Sequence, residues 1–397
     1  LTPSRVHLID GLRGFALFGI IVVNVGFFAS TWFGLTDPQF DGFASEAART
    51  LVTFLFESKF YLLFSFLFGY SFTIQLDSAA RKGVGFKRRF GRRLIGLFLL
   101  GLAHGLLFFT GDILMIYALA GIVLLLVRNW KPRRALIVAG GLLVLTAFVW
   151  ASLGFAALED PETFRSDPAA LTREAETLEA GYGSADIGTV LSTRSDDLGD
   201  TFLLLLFIQG PSALAMFLVG LAFGKARVLH DPGRFPRLWK RLLLFGLILG
   251  LPAAAFYAWA GGEGSLQDPA RELFALAINV LLAPALAGAY MAAFVLARNT
   301  RLGAGLINSL APAGRIALSN YLLQSIVLSL IFTGYGFALV GQVSPAVAVL
   351  IAIAVFAALT WLSAIWLRNH RYGPAEWILR AFTNWSWPTW RKTGSTG

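Results

Sequence analysis

The chain has 397 residues, 56% of them hydrophobic and 14% charged, with a mean hydropathy of +0.68. Soluble domains carry about 45–50% apolar and about 25% charged residues, so the composition excludes a water-soluble enzyme. Zero Cys excludes a disulfide framework, a Cys-ligated metal and a thiol nucleophile, four scattered His exclude a multi-His centre, and the net charge of +10 poses a question of topology before one of nucleic acid.

A helix needs about 20 mostly apolar residues to cross a bilayer. Ten runs qualify, in chain order 13–33, 51–76, 93–109, 112–128, 135–156, 201–224, 241–260, 273–297, 315–333 and 344–367. The third and fourth are separated only by Thr110-Gly111-Asp112, which predicts a tight hairpin. The expected fold is an all-α polytopic membrane bundle of about ten helices. It divides into five spans over 1–156, an acidic loop over 157–200 with a short amphipathic helix near 168–180, and five spans with a basic tail over 201–397. The first span ends in bulky Trp32-Phe33 without a small-x-small cleavage site, so it reads as a span and not as a cleaved signal peptide.

The connections alternate in charge. Those on the side of both termini hold 27 Lys and Arg against four acidic residues, and those on the other side hold 18 acidic residues against five basic ones. By the positive-inside rule both termini are expected in the cytoplasm. The basic excess then signals orientation in a bacterial cytoplasmic membrane and attraction to anionic lipid, not nucleic acid. A homodimer is compatible with this pattern and is not specified by it.

Polar residues inside spans are costly and point to function by default. Asp10 and Arg13 are three apart and share a helix face, as a cap and headgroup anchor or as part of a site. Asn24 lies eleven residues beyond Arg13, about 16 Å along the axis; interhelical hydrogen bonding is its bland reading. Glu57 and Lys59 are two apart, cannot face each other on a helix, and either snorkel outward or line an outward pocket. His104 stands beside the Gly101-x-x-x-Gly105 face, as a satisfied core His or as an acid/base group. Asp112 heads the fourth span, where a carboxylate caps free N–H groups, and Tyr117 follows. Ser319, Asn320, Gln324 and Ser325 form a polar stripe dense enough to predict a lined cavity. Gly220-x-x-x-Gly224 and Gly246-x-x-x-Gly250 read as packing signals, and no Walker A, H-E-x-x-H or nucleophile-elbow pattern is present.

Five blocks in order carry a resemblance: Asp10-x-x-Arg13-Gly-x-Ala-Leu…Asn24, Lys59-Phe-Tyr-Leu-Leu-Phe-Ser-Phe-Leu-Phe-Gly69, His104…Gly111-Asp112-Ile-Leu…Tyr117, Gly314-Arg315-x-Ala-Leu-Ser-Asn320-Tyr-Leu-x-Gln324-Ser325, and Arg371-Tyr-Gly-Pro-Ala-Glu376-Trp377. Together they resemble the YeiB-like DUF418 family over nearly the whole chain. The opening helix is similar to that of transmembrane acyltransferases such as heparan-α-glucosaminide N-acetyltransferases, which use a His and an Asn. By that resemblance Asn24 matches their Asn. Their His follows shortly after it, whereas residues 25–50 here contain none, leaving His104 on another helix.

The expected function is therefore acyl transfer from cytosolic acyl-CoA to a sugar, lipid or small-molecule acceptor. His104, Asn24, Asp10 and Arg13 are the expected catalytic group, and Glu57, Lys59, Asp112, Tyr117, Asn320, Gln324 and Ser325 the acceptor site. Lys87, Arg88, Arg89, Arg92, Arg93 and Arg315 would hold the CoA phosphates, and no metal is expected. The alternative is a transporter of a small or lipid-linked metabolite.

Overall fold

Inside a bilayer every backbone polar group needs an internal partner, which restricts spanning segments to helices and closed barrels. A computed structural model describes residues 3–32, 39–262 and 268–392. Phe33, the connection residues 34–38 and 263–267, and the tail 393–397 lie outside the described residues. Among the described residues the regular elements are helices, joined by one isolated bridge between His370 and Arg391.

In chain order the helices are α1 (Pro3–Ala29), α2 (Phe43–Leu55), α3 (Lys59–Arg81), α4 (Phe86–Leu107), α5 (Leu114–Leu126), α6 (Pro132–Glu159), α7 (Pro161–Phe164), α8 (Pro168–Gly183), α9 (Ile187–Ile208), α10 (Gly210–Lys225), α11 (Pro236–Ala260), α12 (Pro269–Ala297), α13 (Arg301–Arg315), α14 (Ala317–Phe332), α15 (Pro345–Asn369) and α16 (Pro374–Asn384). Seven stretches are long and apolar enough to cross a membrane, and two bent pairs, α9 with α10 and α13 with α14, raise the number to nine. The protein is thus a polytopic helical membrane protein. The predicted run not among these nine is the fourth, 112–128, which forms α5, whose 13 residues span only about 20 Å. Its surface toward lipid is apolar, with Ile137, Phe148, Phe207, Leu350 and Trp361 exposed on the outer helices.

Three departures from straight spans shape the interior. Between α2 and α3 the chain steps out of helix at Phe56–Ser58, where Ser58 takes a positive φ of 67°. The carbonyls freed there are met by Lys59 Nζ on Thr53 O at 2.8 Å and by Tyr290 Oη on Leu55 O at 2.9 Å. Between α9 and α10 the axis bends by 51° at Gln209. Between α13 and α14 it turns by 81°. That last break lies where α13 presses on α1: a Cβ on Gly314 would fall 1.8 Å from Asp10 O, so only glycine permits the approach.

The acidic segment folds onto the bundle. Asp160, Asp167 and Asp186 cap α7, α8 and α9, each side chain accepting from a first-turn N–H. Those bonds from Thr189 hold the exposed Asp186 carboxyl below its ordinary value. Thr31 Oγ1 donates to Ala175 O at 2.8 Å and Gly334 N to Tyr182 O at 2.8 Å, tying α8 to the ends of α1 and α14. The 201–224 run therefore begins inside a longer helix, α9, whose polar first half covers the bundle.

Candidate functional site: a buried His–Asp pair between two cavities

Residues 108–113 turn α4 into α5 below α9, and Phe109, Asp112 and Ile113 are buried. The α9 helix lies over this hairpin, with Arg194 Nη1 on Leu107 O at 2.5 Å and Leu198 against Gly105.

Within the hairpin His104 Nδ1 and Asp112 Oδ2 lie 2.7 Å apart, with side chains 1% and 0% exposed. Gly101, one turn before His104, makes this possible: a Cβ there would stand 2.6 Å from Asp112 Oδ1. Asp112 Oδ1 accepts from Met115 N at 3.1 Å, the capping bond its place at the head of α5 predicts. Tyr321 Oη donates to Asp112 Oδ2 at 3.4 Å and accepts from Ile113 N at 3.5 Å. The carboxylate holds the imidazole proton on Nδ1 in the neutral ring, leaving Nε2 as the basic nitrogen. His104 Nε2 is buried and has no hydrogen-bond partner.

Neither His104 nor Asp112 lines a cavity; two cavities, one toward each end of the bundle, come as near as Tyr321 and Ile113, which touch the pair. One, of about 440 Å³, opens at the end where the basic connections gather; Lys82, Arg89, Arg93, Arg315 and Arg380 stand on its wall, and Phe64, Leu67, Phe68 and Tyr117 line its depth. The other, of about 610 Å³, lies toward the acidic connections and is lined by Asn24, Phe27, Phe28, Glu57, Phe109, Arg194 and Asp200, among others. Ile20, Ile113 and Tyr321 line both, so these three side chains form the partition.

Residues 223–386 match the family described as "Protein of unknown function (DUF418)". The chain is 35% identical to "Uncharacterized protein YxaH" of Bacillus subtilis (strain 168), over 99% of this chain and 98% of the relative. It is 30% identical to "Uncharacterized protein YeiB" of Escherichia coli (strain K12), over 96% of each. The chain belongs to the DUF418 family. A third relative, "Uncharacterized 39.9 kDa protein in amylase 3'region" of Bacillus acidopullulyticus, is 25% identical over 96% of this chain and 94% of its own length. The full-length matches agree with the five ordered blocks, which run from α1 to α16.

The DUF418 fold distributes the sequence-predicted residues as follows. Asn24 lines the acidic-end cavity and hydrogen-bonds no described residue, while Arg13 lines the basic-end cavity. Arg13 pairs with the buried Asp10 at 2.7 Å and with Ser71 Oγ at 2.7 Å; Asp10 itself reaches neither cavity. Glu57 lines the acidic-end cavity and accepts from Tyr257 Oη at 3.0 Å. Its neighbour Lys59 is fully buried, closes the end of α2 and lines neither. Tyr117 lines the basic-end cavity with its hydroxyl 2.7 Å from Ser65 Oγ.

The polar stripe behaves differently from the expectation of a lined cavity. Ser319, Asn320, Gln324 and Ser325 are buried away from both cavities, and Tyr321 between them faces both. Ser319 and Asn320 serve the 81° break instead, while Gln324 Nε2 is buried without a hydrogen-bond partner among the described residues. Asn320 Nδ2 donates to Ala313 O at 3.0 Å and to Ser363 Oγ at 2.9 Å. Ser319 N and Leu318 N donate to Glu376 Oε1 at 3.3 and 2.7 Å. Backbone groups orphaned by a broken helix need such partners.

Of the six cations expected at one anion site, Arg89, Arg93 and Arg315 line the basic-end cavity. Lys87 and Arg88 point outward, and Arg92 lies over Trp385 at 5.7 Å. Lys82 and Arg380 join the wall without having been singled out, as does Tyr321, which borders both cavities, and Arg194 lines the other one.

Proposed function

We propose that this protein is a membrane-embedded acyltransferase whose donor and acceptor arrive from opposite ends and meet at Tyr321. The observation that carries the reading is the partition: Tyr321 borders both cavities while its hydroxyl donates to the Asp112 carboxylate paired with His104. In this reading the protein lies in a bacterial cytoplasmic membrane with both termini inside, as the charge alternation favours. Acyl-CoA enters the basic-end cavity from the cytoplasm, and the acceptor occupies the acidic-end cavity.

The acceptor's hydroxyl or amine attacks the thioester carbonyl carbon. A new C–O or C–N bond forms, the C–S bond breaks, and the nucleophile's proton passes through Tyr321 and the Asp112–His104 pair to the departing thiolate, giving ester or amide and free thiol. The Asp112 carboxylate is the resting acceptor of that relay, steadied by His104 Nδ1–H, and the Asn24 carboxamide donates to the carbonyl oxygen as it gains charge. Burial strengthens both effects, because the low dielectric around the pair leaves its field unscreened.

Proteoliposomes loaded with radiolabelled acetyl-CoA or palmitoyl-CoA and given glucosamine or a glycolipid outside test the reading: label appears in the acceptor with wild type and is lost with His104→Ala. Undiminished transfer by that variant removes His104 from the mechanism.

A second reading, transport of a small or lipid-linked metabolite, is favoured by one feature: the broken helices α9–α10 and α13–α14 beside the cavities, since discontinuous helices build carrier sites. Substrate flux indifferent to CoA distinguishes it.

A further inference from the structure

The wall of the basic-end cavity has an imbalance that the fold does not neutralise. Arg13 is its one cation with a carboxylate within ion-pair distance, among the described residues. Lys82, Arg89, Arg93, Arg315 and Arg380 have none.

The single carboxylate on the wall, Glu376, is committed to the first turn of α14. Its Oε1 accepts from Leu318 N and Ser319 N, and its Oε2 from Ser319 Oγ at 2.5 Å. Glu376 is thereby held in place by neutral donors while Arg93 and Arg380 stand near it. Arg93 Nε is buried with no hydrogen-bond partner. Arg89 is oriented by Asn384 Oδ1, which accepts from its Nε at 3.1 Å and from its Nη2. Arg380 stacks over Tyr372 at 4.4 Å. Guanidinium groups facing a cavity and lacking a carboxylate partner match phosphate oxygens in bidentate geometry.

Beyond this ring the cavity becomes apolar, along Phe64, Leu67 and Phe68 to Tyr321. A small inorganic anion leaves that depth empty, and a fatty acid leaves the guanidinium groups unmatched.

We infer that the basic-end cavity is a site for a ligand with two or more phosphate groups on a long uncharged arm, its phosphates on Arg93, Arg315 and Arg380 and its arm directed at Tyr321. This deepens the donor half of the proposed function and rests on it only for the identity of the carrier. Two sources supply such a molecule: a soluble carrier such as CoA, and a lipid pyrophosphate from the bilayer.

The test is binding to the full-length protein in nanodiscs, using CoA and farnesyl pyrophosphate as probes and palmitate as the phosphate-free control. CoA is expected to bind, with affinity falling about tenfold or more in Arg380→Gln and Arg93→Gln and less in Lys82→Gln at the exposed mouth. Lys87→Gln, outside the cavity, is expected to leave it unchanged. Should the Arg variants fail to fold, Lys82→Gln against Lys87→Gln still gives the comparison. Binding of farnesyl pyrophosphate with exclusion of CoA upholds the site and removes acyl-CoA as donor. CoA binding without acyl transfer upholds the site and removes the transferase reading. Binding of neither probe, equal binding of palmitate, or affinity unmoved by Arg380→Gln and Lys82→Gln overturns the inference.

Discussion

His104 and Asp112 are eight residues apart in sequence and 2.7 Å apart in space, joined across a hairpin that α9 covers. A carboxylate so placed fixes the imidazole's tautomer, and the Nδ1–H in turn steadies the carboxylate that accepts from Tyr321. Asp112→Asn keeps the shape and the cap on α5 but removes the charge. Acyl transfer measured in proteoliposomes is expected to fall by about 10²-fold or more, with helical content by circular dichroism unchanged. Transfer within a factor of two of wild type counts against the pair.

The same pair depends on a missing side chain. At Gly101 a Cβ would meet Asp112 Oδ1 at 2.6 Å and Met115 N at 2.9 Å. Gly101→Ala therefore forces Asp112 or the α4–α5 contact to move, at a cost of roughly 1–3 kcal/mol, read as a lower melting temperature in detergent. Gly91→Ala, on the same helix with nothing within 4 Å of the added carbon, is the control and is expected to melt no lower than wild type.

Arg194 pins the cover of the site. The residue is 2% exposed, and its guanidinium reaches the end of α4 through Leu107 O, α14 through Ser329 Oγ at 2.7 Å, and the following loop through Tyr335 Oη at 3.4 Å. Charged hydrogen bonds of this kind contribute about 1.5–3 kcal/mol each. Arg194→Met is expected to loosen α9 and raise limited proteolysis within residues 184–200. An unchanged cleavage pattern shows that α9 is held by packing alone.

Membrane orientation can be read directly, since the chain contains no Cys. Single substitutions Lys87→Cys and Glu176→Cys place one thiol on a basic and one on an acidic connection, both at exposed positions. In intact cells an impermeant maleimide is expected to label Cys at 176 and spare Cys at 87. The reverse pattern inverts the assignment of both cavities.

The spans were legible because a bilayer demands long apolar runs, and each predicted run is mostly helix, with 51–76, 201–224 and 315–333 each crossing a break. The breaks were not. Hydropathy carries no record of Ser58's positive φ, nor of the 51° and 81° turns, which arise from contacts between distant helices. The cationic run illustrates the same divide. Arg89 and Arg93 are four apart and share the face that lines the cavity, whereas Arg88 and Arg92 lie on another; spacing contained that distinction. Arg380 and Glu376, nearly 300 residues later, reach the same wall through α16, and no local pattern announces them. Lys59 shows the opposite failure: a charge inside a span suggests a ligand, yet here it closes a broken helix. The density of the polar stripe was a true signal of something unusual. For Ser319 and Asn320 the cause was the backbone left unpaired at the α13–α14 break, and Tyr321, the aromatic within the stripe, is the member that meets both cavities.

The most direct test is cryo-electron microscopy of the protein with a non-transferable thioether analogue of acyl-CoA. The account predicts the phosphates against Arg93, Arg315 and Arg380, with the thioether sulfur at the Tyr321 partition on the side facing His104 and Asp112. Density for the analogue at any other surface, with the basic-end cavity empty or its sulfur remote from Tyr321, contradicts it.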